Sequence, residues 1–384
     1  MEMGERKQAE AWTLSPFRVQ ASAYSPPCRY FETLLMRCSV TRLAVAFVLL
    51  IAGVGCSAAP WKGFPRAVEP ALAWPAPPEA ACVAYVMAIR DHKDLFAEAG
   101  FWRSAAGWLT GGPDSHLVKP FALALHPRGG LLVTDPGRRT VHFYDWSRRR
   151  YVELGSSRPG GLSSPVGVAA LDDGRILVSD SRLGSVEAFD PNGRWLGSFV
   201  KSGVLKRPAG VAVNRRRREV YVVDVLDHAV AVFDLEGTLL RTIGGRGDKP
   251  QAFNFPTHVA IGPQDRLAVT DSMNFRVQIL EPDGTFVRSI GVAGDAPGGF
   301  AKPKGVAVDP RGRIMVVEGL HDAVQFFDWD GRLLLSLGAS GSGPGEFWLP
   351  AGLVFDDKEQ LLFVADSYNS RVQVFRLIGA AAAP

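Results

Sequence analysis

The sequence has little cysteine. Four cysteines occur among 384 residues; Cys28 and Cys38 lie before the apolar N-terminal run at 43–55, and Cys56 directly follows it. Cys82 is then the single cysteine of the remaining chain, and a single cysteine forms no internal disulfide. A disulfide-stapled scaffold is therefore excluded, and we interpret Cys82 as a small, buried apolar residue within a strand.

A strong excess of one charge is also absent, since 43 lysines and arginines accompany 39 aspartates and glutamates. A dedicated nucleic-acid binder concentrates positive charge, so we expect no nucleic-acid partner. The sequence contains no Cys-x-x-Cys pair, no nucleophile elbow and no glycine-rich phosphate loop. It therefore lacks the short motifs that are typical of several common classes of enzyme.

The apolar run at 43–55 is too short to cross a bilayer. It has thirteen residues, whereas a membrane helix needs about 20. Arg37 and Arg42 precede the run, and Cys56 follows it. This order predicts a cleaved export signal over residues 36–56. Residues 1–35 are then expected to be a non-native or disordered extension.

The end of this signal resembles a bacterial lipoprotein signal, in which the cysteine after the apolar run becomes acylated. The resemblance implies lipidation at Cys56, a membrane anchor and a place in the cell envelope, on the periplasmic face of a membrane or outside the cell. In a Gram-negative organism, Ser57 would suit transfer to the outer membrane. The sequence departs from the pattern at Gly53, where leucine is favoured, so plain cleavage or an uncleaved anchor stays open.

Residues 57–79 are rich in alanine and proline. Sequence of this composition buries too little apolar surface to fold, and it favours extended polyproline conformations. At about 3.1 Å per residue the segment would reach roughly 70 Å. We therefore expect a tether that holds a folded domain away from a membrane.

An internal repeat fills most of the remaining chain. Six segments begin with a proline that leads a short apolar strand, at Pro120, Pro165, Pro208, Pro256, Pro303 and Pro350. These prolines are 43 to 48 residues apart. In each segment a second apolar strand follows and ends in an acid. A third strand comes next, and in most segments an Asp-x-x-Gly or Glu-x-x-Gly turn and a fourth strand follow it.

Four short strands separated by tight turns predict an antiparallel meander. A repeat of about 40 to 50 residues with this content is typical of propeller blades. We therefore predict an all-β, six-bladed propeller over residues 80–379, with blades that start near residues 117, 162, 205, 253, 300 and 347. A disordered tail is expected at 380–384. The strands are apolar on both faces because each blade lies between two neighbours.

The sixth repeat stops after its third strand, whereas an unassigned strand-like run at 82–89 precedes the first repeat. An open ring would leave two sheet edges exposed. We therefore predict that this run supplies the outer strand of blade 6 and closes the ring.

The repeats resemble NHL repeats. The resemblance is carried by the Pro-x-Gly-Val-Ala-Val strand, by "DSMNFRVQIL" (271–280) and "DSYNSRVQVF" (366–375), and by a trailing glycine. It covers about 117–379 and is strongest in blades 4 and 6. It is looser in blade 1 and in blade 5, where Glu318 replaces an aspartate. The resemblance implies six blades, the usual number for this family.

Acids that end the second strands recur in every blade: Asp135, Asp180, Asp224, Asp271, Glu318 and Asp366. Converging carboxylates can bind a cation, but six positions spread around a ring lie too far apart to share one. We predict that these acids are structural and accept N–H groups of the turns, with Arg276 and Arg371 placed to pair with Asp271 and Asp366.

His258 lies at the entry of a first strand, where the other repeats have glycine or alanine, so it should overlook the central channel. A relative of the NHL family, the amidating lyase, holds zinc through histidines at such entries, and other propellers are calcium-dependent lactonases. A catalytic zinc needs three protein ligands, and one repeat alone has this histidine. A metal enzyme of either kind in the central channel is the alternative hypothesis, and a plain surface histidine also stays open.

Candidate ligand-binding residues lie on the same face as His258, in loops or at strand entries: Lys304, Met273, Asn274, Phe275, Tyr368 and Asn369. Loops usually bind the ligand in a propeller, because the side chains of the strands are used in packing between blades. Aromatic and amide groups suit contacts with peptides or glycans. We predict a non-catalytic, envelope-anchored, monomeric scaffold that binds an envelope protein, a peptide or a glycan, with no cofactor and no metal.

Overall fold

The computed structural model describes residues 63–65, 72–96 and 115–378. Within these ranges the chain forms strands and three short 3-10 turns, at His92–Asp94, Pro263–Asp265 and Ser272–Asn274, and no α-helix. No helix of the described residues is long and apolar enough to cross a membrane.

The strands, numbered β1 to β27 in chain order, form one sheet per blade. Blade 1 contains β3 (Leu123–Leu125), β4 (Leu131–Asp135), β5 (Thr140–Asp145) and β6 (Arg150–Leu154). Blade 2 contains β7 (Pro165–Ala170), β8 (Ile176–Asp180), β9 (Ser185–Phe189) and β10 (Trp195–Val200). Blade 3 contains β11 (Pro208–Asn214), β12 (Glu219–Asp224), β13 (Ala229–Phe233) and β14 (Leu239–Gly244).

Blade 4 contains β15 (Pro256–Ile261), β16 (Leu267–Asp271), β17 (Arg276–Leu280) and β18 (Phe286–Ile290). The linker to blade 5 contains a short parallel pair, β19 (Val292–Ala293) and β20 (Gly299–Phe300). Blade 5 contains β21 (Pro303–Val308), β22 (Ile314–Glu318), β23 (Ala323–Phe327) and β24 (Leu333–Leu337). Blade 6 contains β25 (Leu353–Asp356), β26 (Leu361–Asp366), β27 (Arg371–Leu377), β2 (Val83–Ile89) and β1 (Ala73–Trp74).

The second strand of every blade is buried along its whole length. Both faces of such a strand pack against neighbouring blades. One apolar cluster, for example, joins Tyr221 and Val223 of blade 3 to Leu267 and Val269 of blade 4. Each fully buried valine or leucine contributes about 1.5–3 kcal/mol relative to an exposed one. This burial explains why the strands are apolar on both faces.

The first strands line the central axis and form a closed ring. Each contacts the first strand of the next blade, and β25 of blade 6 contacts β3 of blade 1. Glycine allows this close approach, since a Cβ atom added at Gly352 would lie 2.4 Å from the carbonyl oxygen of Phe121. The prediction of an all-β, six-bladed propeller is confirmed.

The fourth strand of blade 6 comes from the N-terminal part of the chain. β2 pairs antiparallel with β27, from Val83 opposite Leu377 to Ile89 opposite Val372. The prediction that this run closes the ring is therefore confirmed. Closure pairs the outer edge that β27 would otherwise expose.

The segment that we expected to be a tether, 57–79, contains ordered structure where it is described. Ala73–Trp74 form β1, which pairs with β2 as a fifth strand of blade 6. The Trp74 ring packs edge-on against Phe375, with ring centroids 5.8 Å apart, and Phe64 is buried against Trp146. Single aromatic residues within the Ala/Pro-rich sequence thus find apolar surface on the propeller.

Several expectations fall outside the described residues. These are the extension at 1–35, the export signal at 36–56 with Cys56, and the tail at 380–384.

Candidate ligand-binding face

The two faces of the propeller carry different loops. Pro256 at the start of β15 pairs with Asp271 at the end of β16, and the equivalent residues pair in blades 2, 3 and 5. The starts of the first strands and the turns between second and third strands therefore share one face, which we call the entry face. The predicted ligand-binding residues all lie on this face.

The six acids at the ends of the second strands are buried. Each accepts a hydrogen bond from a backbone N–H group of the linker that leads into its own blade. These bonds run from Val118 to Asp135 (2.6 Å), Ser163 to Asp180 (2.6 Å), Lys206 to Asp224 (2.7 Å), Asn254 to Asp271 (2.6 Å), Lys302 to Glu318 (2.7 Å) and Trp348 to Asp366 (2.8 Å). The carboxylates thus hold linkers in place at the entry face.

Asn274 and Asn369 use their side-chain amides within the framework. The Nδ2 group of Asn274 donates to Asp271 at 2.8 Å and to a linker carbonyl at 2.9 Å. The Nδ2 group of Asn369 donates to Asp366 at 2.9 Å and to a linker carbonyl at 2.8 Å. The side-chain N–H groups of these two candidate residues are therefore already hydrogen-bonded within the protein.

Phe275 also contributes to the framework. Its side chain is half-buried against the apolar cluster between blades 4 and 5. Its backbone is left-handed, with φ of 54°. The same turn position is left-handed in every blade, at Arg139, Gly184, His228, Asp322 and Ser370. The turn geometry, rather than ligand binding, accounts for the conformation of Phe275.

Two groups of large apolar side chains are exposed on the entry face. The blade 3–4 patch consists of Leu226, Phe255 and Met273, which are 46%, 36% and 53% exposed. Clusters of this kind on a soluble domain mark interaction surfaces more often than scattered single residues do.

The blade 5–6 patch consists of Leu320, Trp348 and Tyr368, which are 56%, 54% and 49% exposed. The Trp348 and Tyr368 rings pack against each other, with centroids 5.6 Å apart. Of the six patch residues, sequence reasoning found only Met273 and Tyr368. Leu226 and Leu320 occupy the same turn position as Met273 and Tyr368, so a stricter alignment of the six turns would have found them too.

Exposed cations surround the two patches: Lys119, Arg182, Arg207 and Lys302. None of them forms an ion pair with another described residue. Lys119 instead places Nζ over the Tyr368 ring, 5.0 Å from its centroid. The charges of these four cations are therefore exposed on the entry face without an ion-pair partner among the described residues.

His258 occupies the mouth of the central channel on the entry face. Its ring stacks on Phe121 of blade 1, with centroids 5.9 Å apart. Both ring nitrogens are buried and lack a hydrogen-bond partner among the described residues, although the residue as a whole keeps partial exposure. Burial, with a smaller effect of Lys304, lowers the pKa of His258 to about 4. The imidazole is therefore neutral at neutral pH.

Lys304 lies beside His258 at the start of β21. Its Nζ donates to the carbonyl oxygen of Pro350 at 2.9 Å. Burial, followed by the nearby charge of Lys302, lowers the pKa of Lys304 to about 8. Lys304 is thus mainly a cation at neutral pH, held at the mouth and pointing towards blade 6.

The mouth does not assemble a metal site. No group of three or more His, Cys, Asp or Glu side chains close enough to hold a metal ion occurs in the described part of the chain. The residues equivalent to His258 are Ala122, Gly167, Gly210, Gly305 and Gly352, which offer no ligating side chain. What the mouth provides is one neutral imidazole, one lysine and apolar walls.

Comparisons with known proteins agree with this architecture. The family model described as the NHL repeat matches residues 347–375, within blade 6. Over 202 residues the chain is 28% identical to the E3 ubiquitin-protein ligase NHLRC1 of Homo sapiens. The aligned part covers 49% of this chain and 46% of that protein, so the chain spans about half the length of this relative. Both findings support an NHL-repeat family.

Solved structures with the same fold include enzymes and a binding protein. Virginiamycin B lyase from Staphylococcus aureus is 12% identical, with a TM-score of 0.50 over 68% of this chain and 96% of that chain. A gluconolactonase from Xanthomonas campestris is 17% identical, with a TM-score of 0.52 over 68% and 87%.

An auxiliary nutrient binding protein from Bacteroides thetaiotaomicron is 13% identical, with a TM-score of 0.54 over 67% of this chain and 69% of that chain. At such identities these likenesses show the propeller fold alone.

Proposed function

We propose that this protein is a non-catalytic binding scaffold, an NHL-repeat propeller that holds a partner macromolecule on its entry face. One observation carries the proposal: two exposed apolar patches and four cations without ion-pair partners among the described residues share that face. Apolar side chains supply contact area, and unpaired cations attract and orient a partner.

The shape of the channel mouth supports a partner bound across the face rather than a small substrate held inside it. The cavity beside His258 has a volume of about 50 Å³, and the channel between the first strands beyond it about 280 Å³, whereas small-molecule sites enclose about 300–1,000 Å³. His258 and Phe121 stack across the mouth. A peptide or protein segment needs no such cavity, because it binds on top of the loops.

We further propose that the chain is exported and acylated at Cys56, which would anchor the scaffold in the cell envelope. This part of the proposal rests on the sequence of the signal at 36–56. Mass spectrometry of the mature N-terminus tests it. A lipid-modified Cys56 at the first position would support the anchor, and an unmodified N-terminus elsewhere would contradict it.

The alternative function is a metal enzyme with its site in the central channel. The observation in its favour is His258, whose two buried ring nitrogens have no partner among the described residues, as a ligating or proton-transferring histidine would. The residues around it do not fit a metal, since the described chain brings no group of three ligating side chains together. We therefore derive no reaction step for this alternative.

Photocrosslinking in the native cell distinguishes the two functions. A benzoylphenylalanine replaces Met273 or Tyr368 on the entry face, and Arg216 in the turn between β11 and β12 on the opposite face. We expect adducts of defined mass from positions 273 and 368 and none from position 216. Equal adducts from both faces would contradict the proposal. Stoichiometric zinc or calcium that is lost in His258→Ala would favour the enzyme instead.

A further inference from the structure

The two apolar patches of the entry face have lysines between them. Blade 5 lies between blades 4 and 6 in the ring, and it places Lys302 and Lys304 beside the channel mouth. Lys302 is exposed, whereas Lys304 reaches towards blade 6 and donates to the Pro350 carbonyl. A ligand that runs from the blade 3–4 patch to the blade 5–6 patch therefore passes these two ammonium groups.

The exposed acids of this face do not balance its cations. Asp227 contacts Lys206, and Asp295 lies 3.4 Å from a ring nitrogen of His321. Asp248 is exposed in the linker between blades 3 and 4, where Arg246 and Lys249 are its near neighbours in sequence. Exposed Glu346, in the linker between blades 5 and 6, forms no ion pair with another described residue, and neither do exposed Lys302 and the other three cations Lys119, Arg182 and Arg207. A negatively charged ligand matches this arrangement.

The side chains of the patches favour a peptide over single-stranded RNA. RNA bound without duplex structure needs free aromatic faces on which bases stack. The Tyr368 ring already contacts Lys119 and Trp348, and three of the other patch residues are aliphatic. Aliphatic side chains suit the apolar side chains of a peptide.

The amides of the face disfavour a glycan. Glycan recognition needs free polar side chains that can exchange hydrogen bonds with hydroxyl groups. Asn274 and Asn369 donate to carboxylates and linker carbonyls. The linker N–H groups that reach the turn acids are used as well. The exposed apolar side chains and the exposed cations of the face are not used in this way.

We propose that the partner presents an acidic peptide segment, in which apolar side chains flank aspartates or glutamates, and that this segment lies across the mouth from one patch to the other. The carboxylates pair with Lys302, with Lys119 and Arg207 further around the mouth, and the apolar side chains cover the two patches. This inference rests on the proposed function and specifies the chemistry of its partner.

Fluorescence anisotropy with defined synthetic probes tests the proposal on the mature full-length chain. The acidic peptide alternates Leu-Asp-Glu-Phe units over about 12 residues, which at about 3.3 Å per residue is long enough to cross a propeller face. The amide peptide replaces its acids with Asn and Gln. We expect the acidic peptide to bind about tenfold tighter than the amide peptide, and raising salt from about 0.05 to 0.5 M to remove most of this difference.

A matched pair of charge reversals locates the site. Lys302→Glu should weaken binding of the acidic peptide about tenfold, whereas Arg216→Glu, with the same charge change on the opposite face, should change it less than about twofold. Both side chains are exposed, so both variants should keep the melting temperature of the unaltered chain. Equal weakening by the two variants would overturn the proposal.

Two further outcomes would also overturn it. One is equal affinity for the acidic and amide peptides, and the other is tighter binding of an oligouridine of the same length than of the acidic peptide. If the acidic peptide fails while photocrosslinks persist at positions 273 and 368, the partner chemistry is wrong and the scaffold function stands. If the crosslinks are absent as well, the scaffold function itself fails.

Discussion

Blades 4 and 6 carry nearly the same ten residues at the turn between their second and third strands, "DSMNFRVQIL" from Asp271 and "DSYNSRVQVF" from Asp366. The residues that the two turns share make the same hydrogen bonds. Arg276 donates to Asp271 at 2.8 Å, and Arg371 donates to Asp366 at 2.7 Å. A glutamine two residues after each arginine also donates to the acid, at 3.2 Å in blade 4 and 3.1 Å in blade 6.

The residues that differ between the two turns have other roles. Met273 and Tyr368 are about half exposed on the entry face. Phe275 packs into the seam with blade 5, while the hydroxyl of Ser370 donates to the Val118 carbonyl of the next blade. The comparison teaches that repetition in this chain marks framework. The candidate ligand-binding residues lie at positions where the repeats differ in sequence and the side chain is exposed.

The largest difference between the two turns should be in the burial of their arginines. Arg371 is 2% exposed, against 14% for Arg276, and it donates to three backbone carbonyls where Arg276 donates to two. Arg371→Ala would leave Asp366 as a buried charge without its cation and should cost about 3–5 kcal/mol. Arg276→Ala also leaves a buried carboxylate, but its guanidinium is partly solvated, so the loss should be smaller, about 2–3 kcal/mol. Urea unfolding of both variants checks the order, and equal losses would contradict it.

The next largest effect is a pH dependence of stability that blade 4 contributes and blade 6 does not. Blade 4 has His258 where blade 6 has Gly352. Burial holds the pKa of His258 at about 4, below the 6.5 of an unperturbed histidine. Between these values the unfolded chain binds a proton that the folded chain does not, so stability falls as the pH drops through this window. The loss should reach about 2–3 kcal/mol.

Unfolding at pH 7 and at pH 4.5 measures this loss. His258→Gln should reduce the difference between the two pH values by about 2–3 kcal/mol, whereas His126, whose pKa burial also lowers, keeps its own contribution. An unchanged difference in His258→Gln would contradict the account of the channel mouth.

A third comparison concerns the outer edge, where blade 6 has β1 and β2 and blade 4 has no such addition. Trp74→Ala removes the contact of β1 with Phe375 and should destabilise the chain by about 2 kcal/mol, because the indole is only half-buried. Thermal unfolding measures the effect. A melting temperature that stays the same would mean that β1 does not stabilise the ring.

The smallest effect on stability should come from the unmatched, exposed residues. Met273→Ser and Tyr368→Ser should each change the free energy of unfolding by less than about 0.5 kcal/mol, since surface substitutions outside special features usually do. Chemical unfolding of the two single variants checks this. A loss above about 2 kcal/mol would assign either residue to the framework instead.

Periodicity in the sequence was enough to predict the architecture, including the unusual origin of the last strand. Blade 6 lacks a fourth strand in its own repeat, and a strand-like run at 82–89 has no repeat of its own. Because paired sheet edges are strongly favoured over free ones, this run is expected to pair with blade 6. The alternation of prolines, acids and turn residues is local information, and local information determines a meander.

The candidate site was harder to predict for a physical reason. Whether Asn274 or Phe275 faces solvent depends on where the linker of the blade passes, and the repeat pattern does not specify that path. Trp348 and Phe255 were missed because they belong to the linkers themselves. The composition of 57–79 likewise predicted a tether, since composition averages over single residues such as Phe64 and Trp74, which pack on the propeller in the described part of this segment.

The most direct test of the account compares two double variants in binding of the acidic peptide. Met273→Ser with Tyr368→Ser removes one residue from each patch. Leu239→Ser with Leu334→Ser removes residues of similar exposure, 48% and 53%, from the outer strands. The account predicts a loss of affinity of about tenfold or more in the first variant, less than about twofold in the second, and an unchanged melting temperature in both. Equal affinities in the two variants would contradict the claim that the entry face is the binding surface.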